Sequence, residues 1–248
     1  MKITLMLKQI LALLKFLKMK FINSIKSKDI FDFKESYCDE NTIISSLLRN
    51  TLKNYIKPPI LDVGAGIGDI SYRAFDDKKV IMIDVNNISK HDYPCRPTHF
   101  RRRADFFEFE SKEQIKTLLI SHTLQFIDND IEMLNEKVKE IGPENIILII
   151  NTNDGFMKEV IEWTYENFDN PNPEVKINGF PEGYNLVKSQ PFTATLKCND
   201  FETLALQIAY LMLIEIDTMM ATLISFLKRK LGTPTFEINQ AVEIYKKA

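Results

Sequence analysis

Residues Ile60–Ser71 read ILDVGAGIGDIS. An apolar run from Pro59 to Val63 carries one acid, Asp62, and breaks into Gly64-Ala65-Gly66-Ile67-Gly68 before a helix-compatible stretch. The pattern predicts strand, tight glycine turn, helix. Glycines let the backbone take positive φ and let a ligand lie against bare peptide. Helix N–H groups beyond such a turn point at any anionic part of that ligand. A second apolar run, Val80–Ile83, ends in Asp84, twenty residues after Gly64. An acid at the tip of the second strand is where a ribose offers its hydroxyls. The expectation is a ligand that carries a nucleoside.

The 248 residues suit one α/β domain with an extension. A hydrophobic content of 45% with 27% charged residues is that of an ordinary soluble globular chain. Cys38, Cys95 and Cys198 are far apart and form no C-x-x-C, so neither a disulfide framework nor a zinc knuckle is expected. A reducing cytoplasm is the plain reading. His91, His99 and His122 form no metal-ligand spacing with those cysteines, and no metal is expected.

Charge is uneven. Residues 1–28 hold seven lysines and no acid, so the rest of a chain of net charge −2 carries −9. Residues 1–28 are predicted as a basic amphipathic helix. Their longest uncharged run, Gln9–Leu14, is six residues, too short to span a bilayer and poor as a signal-peptide core. Two readings stand: a helix that caps the domain or lines its site, or an interfacial helix on anionic lipid, which would make the protein peripheral to a membrane. Residues 29–248 are expected to form the main domain.

Asp39-Glu40-Asn41 or Thr42 can start a helix with Ile43, Ile44, Leu47, Leu48 and Leu52 on its apolar face, Asp39 being a good N-cap. Pro58-Pro59 stops it before the first strand. Phe100–Ala104 is expected as the third strand, Thr117–Ser121 as the fourth and Asn145–Ile150 as the fifth. Asp128–Ile141 reads as a helix, and Phe156–Phe168 as an amphipathic helix whose Trp163 belongs to the core. Asp169–Tyr184 reads as a loop, Phe192–Cys198 as the sixth strand and Phe236–Tyr245 as the seventh. Between the last two, residues 200–231 form a helical insertion expected to cap the substrate pocket. Active sites of open α/β sheets lie beyond the carboxyl ends of the strands, so His122–Phe126 should face the substrate.

Two cofactor classes fit the opening motif. Dinucleotide folds favour G-x-G-x-x-G, whereas this chain has G-x-G-x-G with an acid two residues ahead. That resembles motif I of the class I S-adenosylmethionine-dependent methyltransferases. The resemblance covers most of residues 36–248. It implies a Rossmann-like, mostly parallel seven-stranded sheet with an antiparallel C-terminal strand. It also implies S-adenosyl-L-methionine as cofactor, with the aminoacyl group held at Asp62, Gly64, Ala65, Gly66 and Gly68. The ribose would then lie at Asp84, Val85 and Asn86, and the adenine near Ala104 and Asp105, with Ser121 and Leu124 closing the cleft. In the same family a helix like 39–52 covers the cofactor cleft, with Tyr37, Cys38 and Asp39 at its mouth.

The stretch His122-Thr123-Leu124-Gln125 further looks like the corresponding stretch of histamine N-methyltransferase and its relatives. That resemblance implies substrate contacts from Gln125, from Asn239 where the last strand begins, and from Asp39 in place of a glutamate. His122 is the best placed titratable group, and Asp39 could hold or deprotonate a cation. For His122 the alternative is a satisfied strand-end histidine. The activity implied is methyl transfer to N or O of an amine or related small molecule. A nucleic-acid or protein methyltransferase is the second enzyme reading; nucleic acid is the less expected partner, because the triplet Arg101–Arg103 stands in an acidic domain and no Asn/Asp-Pro-Pro-aromatic motif follows the fourth strand. A membrane-associated protein that binds the cofactor and transfers nothing is the reading from another class.

Overall fold

The structure is a computed structural model and describes residues 38–86, 96–124, 131–168, 179–212 and 220–248. These lie in one compact unit, Tyr37–Ala248. The expected helix over 1–28, Tyr37 and Gln125 fall outside the described residues.

Seven strands form a single sheet: β1 (Ile60–Val63), β2 (Val80–Asp84), β3 (His99–Arg103), β4 (Thr117–Ser121), β5 (Asn145–Asn151), β6 (Tyr184–Lys197) and β7 (Thr235–Lys247). Their order is β3-β2-β1-β4-β5-β7-β6. Strands β1 to β5 pair in parallel; β7 is antiparallel to both β5 and β6, so β6 runs with the other five. This is the Rossmann-like methyltransferase arrangement expected from the sequence. β1, β4 and β5 read as largely apolar runs, β1 interrupted only by Asp62, because helices cover both of their faces.

The helices are α1 (Glu40–Ser46), α2 (Asp69–Ala74), α3 (Ile131–Ile141), α4 (Gly155–Asn167), α5 (Phe201–Met212) and α6 (Met220–Lys230). On one face Leu134 and Val138 of α3 pack on Leu61, Ile83, Ile120 and Leu148. On the other, Ile44, Leu48 and Leu52 lie on Ile60, Met82, Leu119 and Ile147. A third cluster joins α5 and α6 to Met157 and Val160 of α4 and to Leu196, Phe236 and Ile238. Trp163 packs against this third core, stacked on Phe226 at 4.6 Å between ring centroids. The insertion between β6 and β7 therefore exists, and Asp200 caps α5 by accepting the Thr203 N–H at 2.6 Å.

Three expectations are corrected. The helix from residue 40 is not uniform: α1 ends at Ser46 and a π-helical turn, Leu47–Thr51, continues it. Asp39 precedes α1 without capping it; its Oδ1 instead accepts the Thr195 N–H at 2.7 Å, tying the chain to β6. β6 begins at Tyr184, eight residues before the expected start. Its first half is largely exposed, mixes polar residues with Leu186 and Val187 and lacks alternation, which an edge strand paired on one side tolerates, Pro191 included.

Candidate active site

The order of the sheet reverses between β1 and β4, and the carboxyl ends of these two strands carry the decisive segments. After β1 the chain enters the glycine turn with φ of +66° at Gly64, +54° at Gly66 and +83° at Gly68. A Cβ on Gly64 would collide with the Thr123 side chain, so glycine is needed there for space as well as for φ. Thr123 is locked by its hydroxyl, which reaches Val63 O at 3.1 Å and Ser121 O at 2.8 Å. The β4 loop thus presses directly on the glycine turn.

Asp84 ends β2. Its Oδ2 accepts the Gly66 N–H at 2.9 Å and its Oδ1 the Asn86 N–H at 2.8 Å. The acid is thereby fixed beside the turn. Val85 is 45% exposed, and Val85 O accepts Arg103 Nε. Ala104 N donates to Asp84 O, and the exposed Asp105 carboxylate accepts the Phe107 N–H at 2.8 Å. Ser121 is partly buried, and Leu124 sinks into the core with Val63 and Ile83.

Asp62 lies beneath the turn, 4% exposed, and accepts the Ser71 hydroxyl at 2.6 Å. Burial pushes its carboxyl up to about 7, against the pull of Ser71 and of the nearby Arg101 charge. Arg101 shares a cross-strand row with Met82 and Asp62, and its Nη1 donates to Ile67 O at 3.0 Å. Two of the three consecutive arginines thus serve backbone carbonyls of this site instead of forming a free basic strip.

A second group gathers where β4, β5 and β7 meet. His122 has φ of +49°, a left-handed turn that histidine tolerates better than most residues. Its N–H binds Ile149 O, and its Nε2 lies 2.8 Å from Glu40 Oε1. Gln240 Nε2 donates to the same Glu40 oxygen at 2.5 Å and to Asn151 Oδ1 at 3.1 Å. Glu40, Gln240 and Asn151 are 2%, 1% and 8% exposed. Asn239 is adjacent in sequence but lies well inside β7; it bridges Thr193 Oγ1 at 2.9 Å and Asp154 Oδ1 at 2.8 Å. Of the residues expected at the substrate, His122 and Asn239 thus stand at this edge, whereas Asp39 has turned its carboxylate to Thr195.

Glu40, Gln240 and Asn151 were not expected. Two of them carried a signal. Glu40 falls one helical step from Ile44 and two from Leu48, and Gln240 alternates with Ile238 and Val242. Each is a polar residue on an apolar stripe, which only a buried partner makes tolerable.

No family model matches the chain, and no curated protein matches it. Among solved structures it is similar to a protein assigned as a methyltransferase from Bacillus halodurans C-125, with 13% identity and a TM-score of 0.55 over 82% of this chain and 99% of that one. It is also similar to a protein assigned as a type II methyltransferase from Anaeromyxobacter dehalogenans, with 11% identity and a TM-score of 0.52 over 82% and 95% of the two chains. The magnesium protoporphyrin IX methyltransferase of Synechocystis PCC 6803, solved with bound S-adenosylhomocysteine, gives 11% identity and 0.50 over 84% and 83%. These likenesses show the fold; the cofactor expected from the sequence is S-adenosylmethionine. The residues present here suit it: a turn bare of side chains where Gly64 must stay small, and a fixed carboxylate at the tip of β2 to accept hydroxyls.

Proposed function

We propose that this chain is an S-adenosylmethionine-dependent methyltransferase acting on a small molecule, moving a methyl group in line to N or O of an amine or related metabolite. The observation that carries the reading is the union of the glycine turn with Asp84 and the β4 loop at the point where the strand order reverses. Asp84 takes the ribose hydroxyls, the peptide of Gly64–Gly68 receives the aminoacyl end, and Ala104 with Asp105 borders the adenine. When bound, the cofactor supplies a methyl group already activated by its sulfonium. The protein's own task is then to hold the acceptor in line and exclude water, which in favourable cases lowers a barrier by about 7–11 kcal/mol. Asn239 and Gln125 orient polar atoms of the acceptor, the 200–231 insertion closes over it, and His122 takes up a proton where the acceptor brings one.

Calorimetric titration of the intact chain with S-adenosylmethionine tests this. Binding in the micromolar range is expected, and Asp84→Ala should weaken it by about tenfold or more, as loss of a charged hydrogen-bond acceptor does. Absence of binding to the unmodified chain ends the reading. A labelled-methyl turnover screen over amine, hydroxy-compound and RNA pools identifies the acceptor; transfer to RNA alone would overturn the small-molecule assignment.

A further inference from the structure

We infer that Arg101 is a positioning residue of the cofactor turn: from β3 it fixes the Ile67 carbonyl and sets a sealed positive charge behind the turn, so that the site selects a nucleoside whose tail ends in a carboxylate. The inference rests on the methyl-transfer reading above for the identity of that nucleoside.

The path of the side chain is unusual for its place. β3 is the edge strand on this side of the sheet, where an arginine is free to turn into water. Its neighbours Phe100 and Arg102 are exposed. Arg101 instead stands in the row Asp62–Met82–Arg101, whose middle member is fully buried, and its Nη1 donates to Ile67 O at 3.0 Å. Nη2 is the other prong of the same planar fork; it is cut off from solvent and has no hydrogen-bond partner. A buried donor left unpaired costs stability, so packing alone gives no reason for an arginine here. Burial pulls its pKa below the ordinary arginine value, and the charge of Asp84 foremost opposes that pull. The guanidinium stays charged.

The turn supplies the reason. Opposite charges hold it from two sides: Asp84 Oδ2 accepts the Gly66 N–H at 2.9 Å, and Arg101 donates to Ile67 O. The peptide between Ile67 and Gly68 is thereby aligned, its carbonyl toward Arg101 and its N–H toward Ala65 O at 2.7 Å. A Cβ on Gly68 would lie 2.8 Å from Met82 Sδ, so the turn sits directly on the row that ends in Arg101. Charge then decides what the turn accepts. Asp62 beneath it and Asp84 beside it disfavour a carboxylate. The short helix α2 offers little pull of its own, because Asp69 stands buried in its first turn. Arg101 offsets these acids from a place that water screens little. Its charge acts across the peptides of the turn, and the neutral nucleoside half of the ligand feels it little.

Calorimetry of the full chain with two probes reads this. S-adenosylhomocysteine carries the aminoacyl tail with its carboxylate; methylthioadenosine keeps the nucleoside and the sulfur and lacks the tail. Arg101→Gln should weaken S-adenosylhomocysteine by about tenfold or more, while methylthioadenosine stays within about threefold. Arg101→Lys keeps the charge and should retain the preference of the unmodified chain. Equal losses for both probes in Arg101→Gln would reduce Arg101 to a strut of the fold and overturn the inference. No loss for either probe, or a Lys variant that behaves like the Gln one, does the same. The unmodified chain gives a second reading should Arg101→Gln not fold. There the carboxamide of S-adenosylhomocysteine should bind about tenfold more weakly than the acid, a gap that about 0.5 M sodium chloride leaves in place because the charge is sealed. Equal affinities, or a gap that salt abolishes, overturn the inference. Binding without this selectivity strikes the inference alone; failure of the unmodified chain to bind either probe strikes the methyltransferase reading, and the inference with it.

Discussion

Gly64 and Asp62 sit two residues apart and make opposite demands. Gly64 requires absence: at φ +66° with Thr123 against it, Gly64→Ala adds both left-handed strain and a collision. A cost of about 1–3 kcal/mol is expected, with loss of cofactor affinity, measured by urea unfolding and calorimetry of the same variant. Asp62 tolerates burial at the cost of its charge. Its folded pKa of about 7 stands above the ordinary aspartate value of 3.8, so the fold binds this proton more tightly than the unfolded chain does. Stability from this group is therefore fully present below about pH 4 and is lost as pH rises through about 7. Asp62→Asn removes the titration while keeping an acceptor for Ser71. The variant should be more stable than the parent at pH 8, by about 1–3 kcal/mol, and the difference should shrink at pH 5. Denaturant midpoints at the two pH values check it; equal differences at both would exclude the assignment.

The strands and helices show where reading from residue types succeeds. β1, β4 and β5 were legible because burial on both faces leaves little room for polar residues, Asp62 excepted, and α5 because Asp200 announces its start. β6 was only half legible: an edge strand is specified by its one neighbour, β7, and that pairing leaves no periodic trace in YNLVKSQP. Asp39 was read as a helix cap because an acid before a helix usually is one, but a backbone N–H of β6 competes for it and wins. The insertion is anchored by rings, with Phe226 stacked on Trp163 and lying against Phe156. Phe226 is 4% exposed, so Phe226→Ala should cost about 3–5 kcal/mol. Because Trp163 is the single tryptophan, a red shift of its fluorescence in the native variant reports the loosened contact. An unshifted spectrum would mean that the insertion is held elsewhere.

Across the protein, the glycine turn with its neighbouring acid was legible and the cluster around His122 was not. Asp62 through Gly68 and Asp84 come from two neighbouring βα units, and short spacing carries their meaning. Glu40, His122, Asn151 and Gln240 come from four distant segments, the Glu40–Gln240 bond joining residues 200 apart, so only the folded sheet brings them together. Their order along the chain has a temporal side. β7 is made after β5 and β6, yet it lies between them. Until it emerges from the ribosome, β6 has no partner in the sheet and Glu40 lacks the amide that holds it. A chain ended after Lys230 should therefore keep the glycine turn yet bury neither β6 nor Glu40; pulsed proteolysis should cut it within 184–197 where the longer chain resists. Emergence of β7 is, on this topology, the event that arms the site.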